Sequence, residues 1–129
     1  MGGVSHPSQR YALELLQPDR IALARKAVPA FYRSQRARYG EAFASLGLQL
    51  FTGDGGFYHW CRLPGGLSAE ELNRRLFTNG AAILKGTDCD MARRGAASPL
   101  RDFFRFSFGP LQPESFESDV AILKRALVS

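Results

Sequence analysis

The sequence predicts an α+β fold in which helices cover a small, mostly antiparallel sheet. Three observations predict it. Apolar residues recur at helical spacing before Gly47, the period shortens to two residues after it, and the later elements run strand, strand, helix, strand, strand, helix. The length of 129 residues suits one domain with one core, and 45% hydrophobic against 22% charged residues excludes wholesale disorder.

Residues 1–6 read as a small-residue leader, and residues 7–129 as the domain proper, opening with a helical segment at about 8–46. Within it, residues 10–16 form a short helix ended before Pro18. Pro18-Asp19 restarts a helix, and Ile21, Ala24, Val28, Phe31, Tyr32, Tyr39, Phe43 and Leu46 keep its period until Gly47 stops it. Pro29 lacks the amide donor that an interior helical residue supplies, so two helices or one bent helix are expected. The stretch 33–38, with its three arginines, places Arg33, Arg36 and the residue after Arg38 near one another and reads as a solvated basic face.

Residues 48–51 and 57–63 form a hairpin-like pair of strands around Gly53-Asp54-Gly55-Gly56. Pro64-Gly65-Gly66 ends the second strand. Ser68 and Glu71 have the spacing of a reciprocal capping box, which opens a helix to about Phe77, closed by Asn79-Gly80. Residues 81–84 are an apolar run of strand length, and Gly86 turns the chain outward. Residues 87–99 lack a period and read as a surface loop with a mobile tip at Arg93-Arg94-Gly95. A last strand at 102–108 leads through Gly109-Pro110 to a helix from about Pro113, with Phe116, Val120, Leu123 and Leu127 as its apolar stripe.

The net charge of +5 is carried mainly by arginine, since only Lys26, Lys85 and Lys124 are lysines. Guanidinium groups suit carboxylates, phosphates, acidic proteins or nucleic acid, and composition does not choose among them. Cys61 and Cys89 have neither metal-ligand spacing nor the density of a secreted disulfide framework, and no stretch has the length and apolarity of a bilayer span. A cytoplasmic protein with reduced thiols is expected. His6 and His59 lack neighbouring ligands, and Asp88, Cys89 and Asp90 read as turn residues, so no metal site is expected.

Alternation in Phe103-Phe104-Arg105-Phe106-Ser107-Phe108 puts Phe104, Phe106 and Phe108 on one face and Phe103, Arg105 and Ser107 on the other. A guanidinium in an apolar strand is costly to bury without an anion, so a carboxylate of the protein or a bound one is expected to meet Arg105. Paired glycines at Gly55-Gly56 suit a turn with positive φ. Tyr58 and Trp60 share a strand face and read as core more than as pocket walls.

Arg105-Phe106-Ser107-Phe108 resembles the strand near the C-terminus of class I/II, fold-type I pyridoxal-phosphate-dependent aminotransferases. So do Gly55-Gly56-Phe57, the aromatic strand after it and Leu63-Pro64, in the same order. The resemblance implies the C-terminal small domain of such an enzyme, with Arg105 gripping the α-carboxylate of an amino or keto acid and Gly55 and Gly56 approaching the site. Where the family has proline before the glycine that follows the third strand, this chain has Lys85. The family's Schiff-base lysine lies upstream, so Lys85 is not that lysine, and no catalytic or cofactor-binding residue is expected here. Pyridoxal 5'-phosphate would belong to the complete enzyme, and the chain alone would be an inactive fragment missing its large domain. It could self-associate through exposed apolar surface. Two alternatives stay open: a free-standing regulatory domain sensing an amino acid through Arg105, and a basic nucleic-acid-binding module, for which no ribonucleoprotein, helix-turn-helix or zinc signature is visible.

Overall fold

The computed structural model describes residues 3–128. Ser5 accepts the Ser8 amide and caps α1 (His6–Leu15), with Pro7 in the first turn, where its missing donor costs nothing. Pro18 plays the same part in α2 (Pro18–Ser45). The expected division at Pro29 does not occur, and α2 is one unbroken helix. The carbonyl that Pro29 leaves without a donor belongs to Arg25, on a stretch exposed to solvent, so water satisfies it.

Four strands, β1 (Gln49–Phe51), β2 (Tyr58–Arg62), β3 (Leu84–Lys85) and β4 (Phe103–Ser107), form one sheet in the order β1-β2-β4-β3, every pair antiparallel. β3 begins at Leu84, so it keeps only the last residue of the expected 81–84 strand. The Ala81 amide is held by the Leu76 carbonyl at the helix end, and the Ile83 amide by Asn73 Oδ1 at 3.0 Å, which delays pairing. Helices α3 (Ala69–Phe77) and α4 (Phe116–Val128) complete the α+β architecture, matching the expected order.

The core lies between one face of the sheet and the helices. Cys61, Phe104 and Phe108 meet Tyr39 and Phe43 of α2, Leu72 and Leu76 of α3, and Leu123 and Ala126 of α4, all buried. Burial pushes the Cys61 thiol up to about 12, so it stays protonated and unreactive at neutral pH. Among the described residues, no α-helix covers the other sheet face, where Tyr58, Trp60, Arg62, Phe103 and Arg105 project.

Several local expectations change. Ser68 Oγ accepts the Glu71 amide at 3.2 Å, but Glu71 does not reach back. Its carboxylate is taken by Arg74 and Arg75 at 2.6 to 2.9 Å, charge-assisted bonds that outcompete the return bond of a capping box. Arg74, then Arg75, holds that carboxyl down at about 2. In residues 87–99, buried Asp90 accepts the Ala92 and Arg94 amides and both arms of the Arg94 fork, which ties down the tip expected to be mobile. The basic face is not wholly solvated either. Arg38 lies 4.2 Å from the Phe116 ring centroid and donates to the Pro113 carbonyl, and Arg36 turns into the β1–β2 loop.

Candidate functional site

Arg105 stands in the middle of the open sheet face. Antiparallel register places Trp60 of β2 on one side of it and Leu84 of β3 on the other. The same alternation sends Phe104 and Phe108 fully into the core, so β4 is anchored from behind while Arg105 projects forward. Its guanidinium carbon lies 5.4 Å from the Tyr58 ring centroid. Among the described residues, no carboxylate pairs with it.

That distinguishes it from Arg62, which pairs with Asp102 at 2.7 Å, and from Arg94, which pairs with Asp90 at 2.9 Å. Of the two carboxylates expected to meet Arg105, the protein supplies none among the described residues, and Arg105 is exposed, because helices cover only the opposite face. Water, not an internal anion, solvates the charge. A cleft of about 550 Å³ opens beside it, with Trp60, Tyr58 and Phe51 from the hairpin strands, Gly53, Gly55 and Gly56 from their loop, and Cys89 around it.

Tyr58 and Trp60, expected in the core, are therefore cleft residues, and the core positions of β2 belong to His59 and Cys61. Trp60 stacks on Phe103 at 5.8 Å between centroids. Gly56 has φ +83°, a left-handed conformation that favours glycine, whereas Gly55 faces open space. Both border the cleft, so the structure brings Gly55, Gly56 and Arg105 together. Lys85 does not join them. Its ammonium pairs with Glu70 at 2.6 Å and with Asp88 at 3.8 Å in a separate cleft, and Glu70 above all keeps it protonated.

Three contributors escaped the sequence reading. Cys89 was a turn residue there, and its exposed thiol borders the Arg105 cleft. Arg36 and His59 lie behind the glycine loop. His59 Nε2 donates to the Arg36 carbonyl at 3.1 Å, which makes Nδ1 the acceptor of the Thr52 hydroxyl at 2.7 Å. Burial lowers the His59 pKa and keeps the ring neutral. Nothing local in the sequence connects residues 18 or 23 positions apart, so no signal could have found them. Among the described residues, no three His, Cys, Asp or Glu side chains gather as a metal site.

No protein-family model matches the chain. Similar solved structures include LysN, the α-aminoadipate aminotransferase of Thermus thermophilus, complexed with N-(5'-phosphopyridoxyl)-L-leucine. It is 27% identical, with a TM-score of 0.64 over 75% of this chain and 24% of that one. The chain has the fold of the C-terminal small domain of fold-type I aminotransferases. A Pyrococcus protein A1 shares this small-domain fold at a TM-score of 0.73, 19% identical over 91% of this chain and 29% of that one. In sequence, the small domain is also 32% identical over 102 residues to the HTH-type transcriptional regulator TauR of Rhodobacter capsulatus, 76% of this chain and 20% of the regulator. The chain thus spans about a quarter of LysN, somewhat more of the Pyrococcus protein and a fifth of the regulator.

Proposed function

We propose that the chain is the substrate-carboxylate-binding small domain of a pyridoxal-phosphate-dependent aminotransferase, with Arg105 as the clamp for the α-carboxylate of an amino or keto acid. The observation that carries this reading is the Arg105 guanidinium, without a carboxylate partner among the described residues, on a strand position flanked by Trp60 and Leu84 and bordering an aromatic-walled cleft. A planar fork binds a carboxylate through two parallel hydrogen bonds and so fixes the orientation of the attached Cα. Gly55 and Gly56 keep the opposite wall free of side chains, which suits close approach by a ligand.

The cofactor's chemistry needs more than this chain offers. None of the three lysines borders the Arg105 cleft, whose one cation among the described residues is Arg105 itself. Pyridoxal phosphate, when bound in the complete enzyme, supplies the electron sink, and a large domain has to contribute the residues that hold it. The aminotransferase neighbours, of which the chain spans about a quarter, support that division. Arg36, Arg38, Arg62, Arg74, Arg75 and Arg94 all engage groups of this protein, which weighs against reading the positive charge as a nucleic-acid surface.

In the complete enzyme, Arg105→Lys is expected to lower kcat/KM about 30-fold, the equivalent of about 2 kcal/mol for a lost bidentate contact. Unchanged kinetics would remove Arg105 from the site. The similarity to TauR favours a second reading, in which the same cleft serves a regulator as an amino-acid sensor. Calorimetry separates the two. The enzyme-domain reading predicts no micromolar binding of L-leucine, its keto acid or pyridoxal phosphate by the chain alone. Micromolar amino-acid binding that Arg105→Gln abolishes would establish the sensor.

A further inference from the structure

We infer that Arg36 is a positioning residue of the Arg105 cleft: reaching from α2, it fixes the glycine loop at 53–56 as the wall against which a carboxylate is held. The inference rests on the reading of Arg105 as a carboxylate clamp. The loop joins β1 to β2 with three glycines in four residues, and such backbone has much conformational freedom to lose unless something holds it.

Arg36 holds it at two points. Nη1 donates to the Asp54 carbonyl and Nη2 to the Gly56 carbonyl, each at 2.8 Å. Two terminal nitrogens in one plane can meet two carbonyls two residues apart, which a lysine ammonium on a flexible stem cannot reproduce. The same residue governs the start of the loop through its backbone, because its carbonyl fixes His59, and His59 accepts the Thr52 hydroxyl. At the far end, the Phe57 carbonyl accepts the Phe108 and Gly109 amides, and the Phe57 ring lies so near Gly109 that a Cβ there would be 2.9 Å from it.

Thr52, Gly53, Gly55 and Gly56 border the cleft with Arg105. The loop is thus gripped on the helix side of the sheet and presented on the open side. Among the described residues, Arg36 Nε is buried without a partner, so the side chain keeps this pose although one donor goes unused. Arg33, one turn earlier on α2, is exposed and makes no such bonds, which makes it the natural control.

The test uses the whole chain as wild type, Arg36→Lys, Arg36→Ala, Arg33→Ala and Arg105→Gln. Amide ¹⁵N relaxation reads the loop, and quenching of Trp60, the single tryptophan, by iodide reads the anion environment of the cleft. In Arg36→Lys, which keeps the charge, order parameters at Gly53, Gly55 and Gly56 should fall from about 0.85 to below about 0.6 while β2 and β4 stay rigid. Iodide quenching should fall at least halfway to the Arg105→Gln value, because the wall that holds an anion beside Arg105 is gone. Arg33→Ala should change neither.

Unchanged order parameters in Arg36→Lys and Arg36→Ala would overturn the inference. A mobile loop with wild-type iodide quenching would overturn it too, leaving Arg36 a hairpin fastener without bearing on the cleft. Equal quenching in wild type and Arg105→Gln would instead sink the clamp reading of Arg105, while relaxation still decides whether Arg36 orders the loop.

Discussion

Gly86→Ala tests how tightly β3 and β4 are joined. Gly86 follows β3 in a 3₁₀ turn at Gly86–Cys89 and needs no positive φ. It is glycine because of close approach: a Cβ there would sit well inside contact distance of the Leu100 carbonyl oxygen and 2.7 Å from that of Phe103. Both obstacles are backbone, so no rotamer change relieves the clash, and the segment leading into β4 must shift. Overpacking a well-packed site costs about 1–3 kcal/mol, and a backbone obstacle puts this one at the upper end, about 3 kcal/mol. For 129 residues the unfolding entropy is about 0.27 kcal/mol per kelvin, so the midpoint should drop by about 11 °C. Scanning calorimetry or thermal circular dichroism reads it directly. Gly55→Ala, where no atom lies within 4 Å, should stay within about 2 °C of wild type. A Gly86→Ala midpoint equally close to wild type would refute the packing argument.

Phe104→Ala empties a fully buried site on the central strand and should cost about 3–5 kcal/mol, measured by urea unfolding. The folded pKa of His59 lies below its ordinary 6.5, so the native state binds fewer protons than the unfolded state. Stability is therefore complete above about pH 6.5 and declines as pH falls through the folded pKa, a slope that a His59→Gln variant should flatten in urea titrations at successive pH values. The N-terminal helices carry exposed Leu13, Leu15 and Leu23, each more than 60% accessible, so the chain alone should self-associate. Leu13→Ser with Leu23→Ser should shift its sedimentation toward monomer.

What the sequence made legible was what depends on neighbours along the chain. The hairpin, the α3 start at Ser68 and the alternation around Arg105 all rest on local periods, and all are present. Pro29 failed as a breaker because the outcome depends on whether the freed carbonyl reaches water, and a sequence pattern does not show that. Tyr58 and Trp60 were assigned to the wrong face for a related reason. Alternation shows which residues share a face, but with helices on only one side of the sheet it does not show which face they cover. Arg36 and Arg38 were invisible because their acceptors, at Asp54, Gly56 and Pro113, are 18 to 75 residues away.

The openness of the Arg105 cleft bears on both functional readings. A guanidinium paired with a carboxylate in water gains about 0–1 kcal/mol, because solvent screens the charges and two side groups must be ordered. The same bidentate pair, shielded from water, contributes about 1.5–3 kcal/mol and fixes geometry besides. Arg105 is exposed on an uncovered sheet face, so by itself it belongs to the first regime. A cover is what moves it to the second. Both kinds of relative are longer proteins, four or five times the length that this chain matches, so both offer polypeptide to close the cleft. A free-standing sensor has no such cover and would have to draw its affinity from Trp60, Tyr58 and Phe51 alone. The aromatic wall and the unpaired charge therefore fit half of a closing site better than a receptor complete in itself, and the calorimetric test on the isolated chain addresses that difference directly.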